Sequence, residues 1–233
     1  MPEQQSSIGK MTNGEYALRG VPISRLVGEH DFISTLWLAW TGTAATPQEK
    51  ILLEACLVAS IDHGVEPPSA HVARRVASCG KPLADSIASG LLTLGPRHGN
   101  AASAASAWVW DAVAAGTTVA TLVANSMSTG DRLAGLGHKV YQIDPRTTAL
   151  FTVARHHLAT TKHIDLMNET SKALSATLGR AMPVNVDGAI GAIVADMGAP
   201  SDLADALFTV GRTVGLVAHA REEAAGSDSY KRE

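Results

Sequence analysis

Aromatic side chains are scarce in this chain of 233 residues, at 4%, and cysteine occurs only twice. The interior must therefore be filled by Ala, Val, Leu and Ile, side chains that let helices approach closely and favour helix in long Ala/Leu-rich windows. Cys56 and Cys79 match neither a disulfide framework nor a zinc-ligand spacing. Both read as structural thiols, Cys56 within an apolar helical pattern, and the compartment reads as reducing. No apolar run reaches the roughly eighteen residues of a membrane span, and the start Met-Pro-Glu-Gln-Gln-Ser-Ser lacks the regions of a signal peptide. A net charge of −3 leaves no footprint for nucleic acid. The expectation is a soluble cytoplasmic protein with no nucleic-acid and no membrane partner.

Several catalytic signatures are missing too. There is no Gly-x-Ser-x-Gly elbow, no phosphate loop and no dinucleotide fingerprint. Nine histidines raise the question of a metal. Yet His156 and His157 are adjacent and point to different faces, and His63 and His71 are too far apart for one helix face. No metal site is expected.

What the chain does have is helical period almost throughout. Ile33, Leu36, Trp37 and Trp40 mark one buried face. Thr46-Pro47-Gln48-Glu49 is a capping box opening a helix to about His63. Lys81-Pro82 opens another, with Leu83, Ile87, Leu91 and Leu94 inward, and His71 lies at the start of a further one. Others are predicted over 100–115, 118–128, 146–158, 164–178, 188–197 and 202–225. Val184-Asn185-Val186 is the single alternating strand candidate, too short for a sheet. The fold class is all-α with roughly nine or ten helices. The first dozen residues and the tail from Gly226 read as frayed.

Five segments could carry chemistry. Leu136-Gly137-His138-Lys139-Val140-Tyr141-Gln142-Ile143-Asp144-Pro145-Arg146 sets a histidine in a glycine-opened loop and an arginine where Pro145 can start a helix. An imidazole N–H could hold a carbonyl oxygen there while the guanidinium grips a carboxylate; a charged surface connector would look the same. In Gly95-Pro96-Arg97-His98-Gly99-Asn100 the histidine stands beside a helix N-terminus that disfavours imidazolium, or merely caps a turn. Asp187, preceded by Val184-Asn185-Val186 and followed by Gly188, is a desolvated base or an ordinary cap. Arg212, in Gly211-Arg212-Thr213-Val214-Gly215, needs a buried anion or a route to water, and its glycines mark a close approach by another segment. His219, seven residues on, reads as a core histidine with a backbone partner, and Arg221-Glu222-Glu223 as a solvated helix end. His63, in Ile61-Asp62-His63-Gly64, is a donor or cation at a helix C-terminus, or a simple cap.

In order, these segments resemble the citrate synthase superfamily: Asp-His, Gly-Pro-x-His-Gly, Gly-His-x-Val-Tyr-x-x-Asp-Pro-Arg, Asn-Val-Asp-Gly and Gly-Arg-Thr-x-Gly-x-x-x-His, over residues 62–219. The opening Arg19-Gly20-Val21-Pro22-Ile23 and the short chain look closer to citryl-CoA lyases and the lyase module of ATP-citrate lyase. The resemblance implies a large helical domain, 1–98 and 199–233, with a smaller mobile domain, 99–198, inserted in it. It implies that His98 stabilises the enolate of acetyl-CoA, that Asp187 exchanges the methyl proton, and that His138 polarises the ketone of oxaloacetate. His63, Arg146 and Arg212 would hold carboxylates. The backbone of Ala134, Gly135, Leu136 and Gly137 would meet the adenine of a coenzyme A thioester substrate, with Arg132, Lys139, Arg74 and Arg75 available to its phosphates. A homodimer or higher homo-oligomer follows, and the Ile33/Leu36/Trp37/Trp40 face suits a dimer contact or the internal core.

Two departures matter. Arg97 stands where synthases more often carry an apolar residue, and Arg232 is a weak substitute for their C-terminal Arg-Pro element. A shortened tail weakens closure over citryl-CoA, which favours cleavage to acetyl-CoA and oxaloacetate. The alternatives are a condensing citrate or 2-methylcitrate synthase and, in another class, a non-catalytic acyl-CoA or carboxylate sensor. A purely structural helical scaffold is disfavoured by the buried arginine and the Gly-His segments.

Overall fold

In the computed structural model residues 6–12 and 14–226 are described. The chain divides into two compact units, 1–54 and 55–233. The first opens with an antiparallel meander of β1 (Gly9–Thr12), β2 (Glu15–Leu18) and β3 (Val21–Pro22). Strand order here corrects the expectation of a frayed start. The strands have four residues or fewer and bury only Ala17, so no alternating pattern betrays them. Their signal is the Asn13-Gly14 dipeptide, with Gly14 at φ +82°. Two helices follow: α1 (Ile23–Glu29), which no local signal predicted, and α2 (Phe32–Thr41), capped by Asp31. Leu36 and Trp37 on α2 are buried and Ile33 and Trp40 half-buried, so the internal reading of that face holds for its central pair. Arg19 donates from Nε to Ala39 O at 3.1 Å, tying the meander to the end of α2.

Helix α3 (Pro47–Ser60) runs across the boundary between the units. Its capping box is made as predicted: Glu49 N–H donates to Thr46 Oγ1 at 3.2 Å and Thr46 N–H to Glu49 Oε2 at 2.7 Å. It stops at Ser60 rather than His63, because Asp62 Oδ2 accepts Gly64 N–H and folds residues 61–64 into a corner.

The second unit contains α4 (Pro68–Ser78), α5 (Leu83–Leu91), α6 (Ala102–Ala114), α7 (Val119–Thr129), α8 (Pro145–His157), α9 (Lys162–Leu178), α10 (Val186–Asp196) and α11 (Asp202–Ala225). Helix α10 is its axis, with every residue from Gly188 to Ala195 buried. A Cβ on Gly191 would lie 2.6 Å from Ala102 O and 2.7 Å from Ser106 N. Small residues thus let α6 and α10 nearly touch, the interior that an aromatic-poor composition requires. Ala70, Ala73 and Leu216 form a second core patch between α4 and α11. Leu83 is exposed and α5 turns Ser86 and Gly90 inward instead, because Gly90 abuts Ser69 O. Val184 makes a single bridge to Leu136 rather than a strand. Cys56 is buried, whereas Cys79 is exposed at the end of α4. The predicted tail from Ser227, Arg232 included, lies outside the described residues. Among the described residues no helix is long and apolar enough to cross a membrane.

Candidate active site

All six side chains singled out by the motifs belong to the second unit, and they come from five segments, His138 and Arg146 sharing one. His63 sits on the corner after α3. That corner packs on α11, where a Cβ on Gly215 would overlap the Ile61 carbonyl and one on Gly211 would press on Leu57 O. These contacts are the close approach that the glycines flanking Arg212 predicted. His98 occupies the turn between α5 and α6, closed by reciprocal bonds between Gly95 and His98, each 2.8 Å. Its ring meets the N-terminus of α4 rather than that of α6. Ser69 N–H donates to Nε2 at 3.3 Å and the Ser69 hydroxyl lies 2.9 Å from the same atom. Nε2 is therefore an acceptor, which leaves the hydrogen on Nδ1.

His138 has the other tautomer. The N–H groups of Val140 and Tyr141 donate to Nδ1 at 3.0 and 2.9 Å, so Nε2 carries the hydrogen. Nε2 stands 3.9 Å from Asp144 Oδ2. Asp144 caps α8 and clasps Arg146 twice, from Nε at 3.1 Å and Nη2 at 2.7 Å. Burial drives the Asp144 pKa up, but its bonds and charge contact with Arg146 outweigh that and hold it below the usual value. The rings of His63 and His138 meet edge-on at 5.2 Å, with Tyr141 4.8 Å from His138.

The electrostatics link the rest. The Arg212 charge acts on His63, His98 and Asp187, and that of Arg146 acts on His63, His138 and Asp187. Burial is the main cause that lowers the pKa of all three histidines, and the arginines reinforce it. His63 is thus pushed towards neutrality, which favours the donor over the cation among its readings: α3 stops short of it and the charges of Arg146 and Arg212 act on it. Asp187, in the first turn of α10, has its pKa pushed up to about 6, by burial first and then by the Asp205 carboxylate. Four polar atoms here are buried without a hydrogen-bond partner: Asp187 Oδ1, Arg146 Nη1, and Arg212 Nε and Nη1. Arg212, 2% exposed, rests against the Phe208 ring at 5.1 Å. One buried unmatched acceptor and three buried unmatched donors are groups that a bound anionic ligand could pair.

The loop 134–137 is locked from within. Ala134 O accepts from Trp108 Nε1 at 3.0 Å, Gly135 O from Asn185 N–H at 3.0 Å and Gly137 O from Asn185 Nδ2 at 3.0 Å. A Cβ on Gly135 (φ +82°) would collide with Gly188, so the loop rides directly on the start of α10. Arg132, Lys139, Arg75 and Arg97 are exposed. Arg74 is paired with Glu222 and Glu223, which removes it from the phosphate candidates; Glu222 is exposed as expected, whereas Glu223 is half-buried. His219 is bonded to the Asp62 carboxylate at 2.7 Å, not to backbone. Sequence reasoning missed Ser69, Asp144, Tyr141 and Asp205; only Asp144, as Asp before Pro at a helix start, carried a local signal. A surface cavity of about 790 Å³ beside Asp31, Leu38 and Lys50 belongs to the first unit and contains none of these residues. Unmatched buried polar atoms, not volume, mark the site.

Residues 39–232 match the model of the citrate synthase C-terminal domain. The chain is 32% identical over 229 residues to a probable ATP-citrate synthase of Dictyostelium discoideum, covering 90% of this chain and 36% of that protein. The chain thus spans little more than a third of that relative's length. A citryl-CoA lyase structure from Hydrogenobacter thermophilus superposes with a TM-score of 0.90 at 33% identity, covering 99% of this chain and 91% of that one. A citrate synthase of Thermoplasma acidophilum, in complex with carboxymethyl coenzyme A and oxaloacetate, superposes with a TM-score of 0.72 at 25% identity, covering 87% of this chain and 55% of that one.

Proposed function

The chain belongs to the citrate synthase family, and from that premise we propose that it cleaves citryl-CoA to acetyl-CoA and oxaloacetate. The observation that carries the reading is the match to a citryl-CoA lyase at a TM-score of 0.90 and 33% identity, against 0.72 and 25% for the citrate synthase.

The chemistry is easiest to follow in the direction of bond formation, and cleavage is its reverse. A thioester α-proton is far too weak an acid for a free carboxylate in water. Ionised Asp187 can remove it only if the enolate oxygen is stabilised as its charge develops. The Nδ1–H of neutral His98 serves that oxygen, and a pKa near 6 makes the carboxylate a stronger base than an exposed one. The Nε2–H of His138 holds the ketone oxygen of oxaloacetate and the alkoxide that forms from it. His63, Arg146 Nη1 and Arg212 hold the carboxylates and align the two carbons. Backbone of Ala134, Gly135, Leu136 and Gly137 borders the adenine, and exposed Arg132 and Lys139 the phosphates. Segments 1–98 and 199–233 form the larger domain around a mobile 99–198, and glycine hinges close it over the substrate. The protein acts in the cytoplasm, in keeping with its free thiols, as a homodimer or larger homo-oligomer, for which Val27 and Phe32 offer exposed apolar surface.

The test is product identification from citryl-CoA and, separately, from acetyl-CoA with oxaloacetate. Acetyl-CoA and oxaloacetate from the first mixture, with little free citrate from the second, are expected. Free citrate accumulating from the second would make the protein a condensing synthase. Failure of the acetyl-CoA methyl group to exchange deuterium would make it a sensor.

A further inference from the structure

Asp62 and His219 lie beside the site but hold no role in the chemistry above. His219 is on α11, beyond Arg212, and its Nε2–H donates to Asp62 Oδ1 at 2.7 Å. The imidazole is largely buried and Asp62 half-exposed. The second Asp62 oxygen accepts Gly64 N–H at 3.0 Å, so this carboxylate bridges the backbone on both sides of His63. Gly64 stands at φ +82°, a sharp reversal that needs such a brace. One turn before His219, Gly215 lies flush against the Ile61 carbonyl. Ile61, Asp62 and Gly64 are therefore fastened to the same helix that carries Arg212. The His63 ring meets the rings of His138 and Tyr141, at 5.2 and 5.9 Å, and among the described residues no hydrogen bond holds it, so the backbone that carries it helps to set its position.

We propose that His219 is a positioning residue, whose bond to Asp62 holds the 61–64 corner in register with Arg212 so that His63 and Arg212 meet the same substrate carboxylates. The inference rests on the reading of His63 as a carboxylate-binding residue. It acts on the oxo-acid half of the site and leaves the thioester half alone, since His98 and Asp187 sit on other segments.

The measurement is direct binding of oxaloacetate and of coenzyme A by calorimetry, with citryl-CoA cleavage alongside. His219→Ala should weaken oxaloacetate binding on the order of tenfold, the scale of a lost charge-assisted hydrogen bond. Coenzyme A binding and kcat should stay within about twofold, because the reacting groups keep their places. His219→Gln, which restores an N–H at the same reach, should recover most of the loss. In a His63→Ala background, His219→Ala should add nothing further, as expected of two residues acting through one contact. Additive losses, or equal weakening of oxaloacetate and coenzyme A, overturn the positioning role. If His63→Ala itself leaves oxaloacetate binding unchanged, the carboxylate-binding reading of His63 is what fails. Should His219→Ala not fold, Asp62→Asn weakens the same bond from its exposed side and must reproduce the selective loss.

Discussion

Helix α10 carries a carboxylate near each end, Asp187 in its first turn and Asp196 as its last residue. Asp196 is wholly buried and both its oxygens are matched. Oδ1 accepts from His163 Nδ1 at 2.8 Å and from His163 N–H at 3.1 Å, and Oδ2 accepts from Ile164 N–H at 3.1 Å. The His163 ring is further pinned by stacking on Trp110 at 5.3 Å. Asp187 is buried among α6, α11 and the 134–137 loop, yet Oδ1 finds no donor and the group is held protonated up to a pKa of about 6. Residue type and helix are shared; the number of donors is what differs. A buried carboxylate with every bond made fastens helices together, and one left short is available to a substrate.

Three substitutions would break or sharpen this contrast. Asp187→Ala should lower the cleavage rate about 10²–10⁴-fold, the contribution of a positioned acid–base group, while calorimetry still detects coenzyme A. In the wild type, deuterium exchange into acetyl-CoA should fall as pH drops through about 6, where Asp187 takes up its proton. Asp196→Ala should act on stability instead. It strands a buried imidazole and two N–H groups, a loss of roughly 3–5 kcal/mol and on the order of ten degrees in Tm. A normal Tm with a collapsed kcat would erase the distinction between the two ends.

The third and smallest effect has the opposite sign. The Asp187 pKa rises from 3.8 to about 6 on folding, so the folded state holds a proton that the unfolded state has released. Ionising the group therefore opposes folding: the penalty is absent below pH about 4 and complete above about 6, worth up to about 3 kcal/mol. Asp187→Asn should accordingly raise Tm at pH 8 and leave it unchanged near pH 4, as thermal melts would show. Reactivity here is held at the expense of stability.

Most helices could be read from the residues alone because their ends are marked. Thr46 and Glu49 cap α3, Asp144 and Pro145 open α8, Asn185 opens α10, and Gly130 and Gly179 close α7 and α9 in left-handed conformation. The meander escaped because strands this short bury one side chain. In the site, the motif residues were nameable but their partners were not. Ser69 reaches His98 across 29 positions and Asp62 reaches His219 across 157. Such meetings depend on how helices are aligned, which no local pattern encodes. The tautomers of His98 and His138 followed only once those partners were known.

Gly135 and Gly188 leave no space between them for even a methyl group, and Asn185 bolts the loop to the helix from both its main chain and its amide. The segment proposed to border the adenine and the side chain proposed to move the proton are thus one lever. On that proposal, coenzyme seated at the far arm would stiffen the near one, and occupancy at the nucleotide end would be felt at the carbon being made or broken.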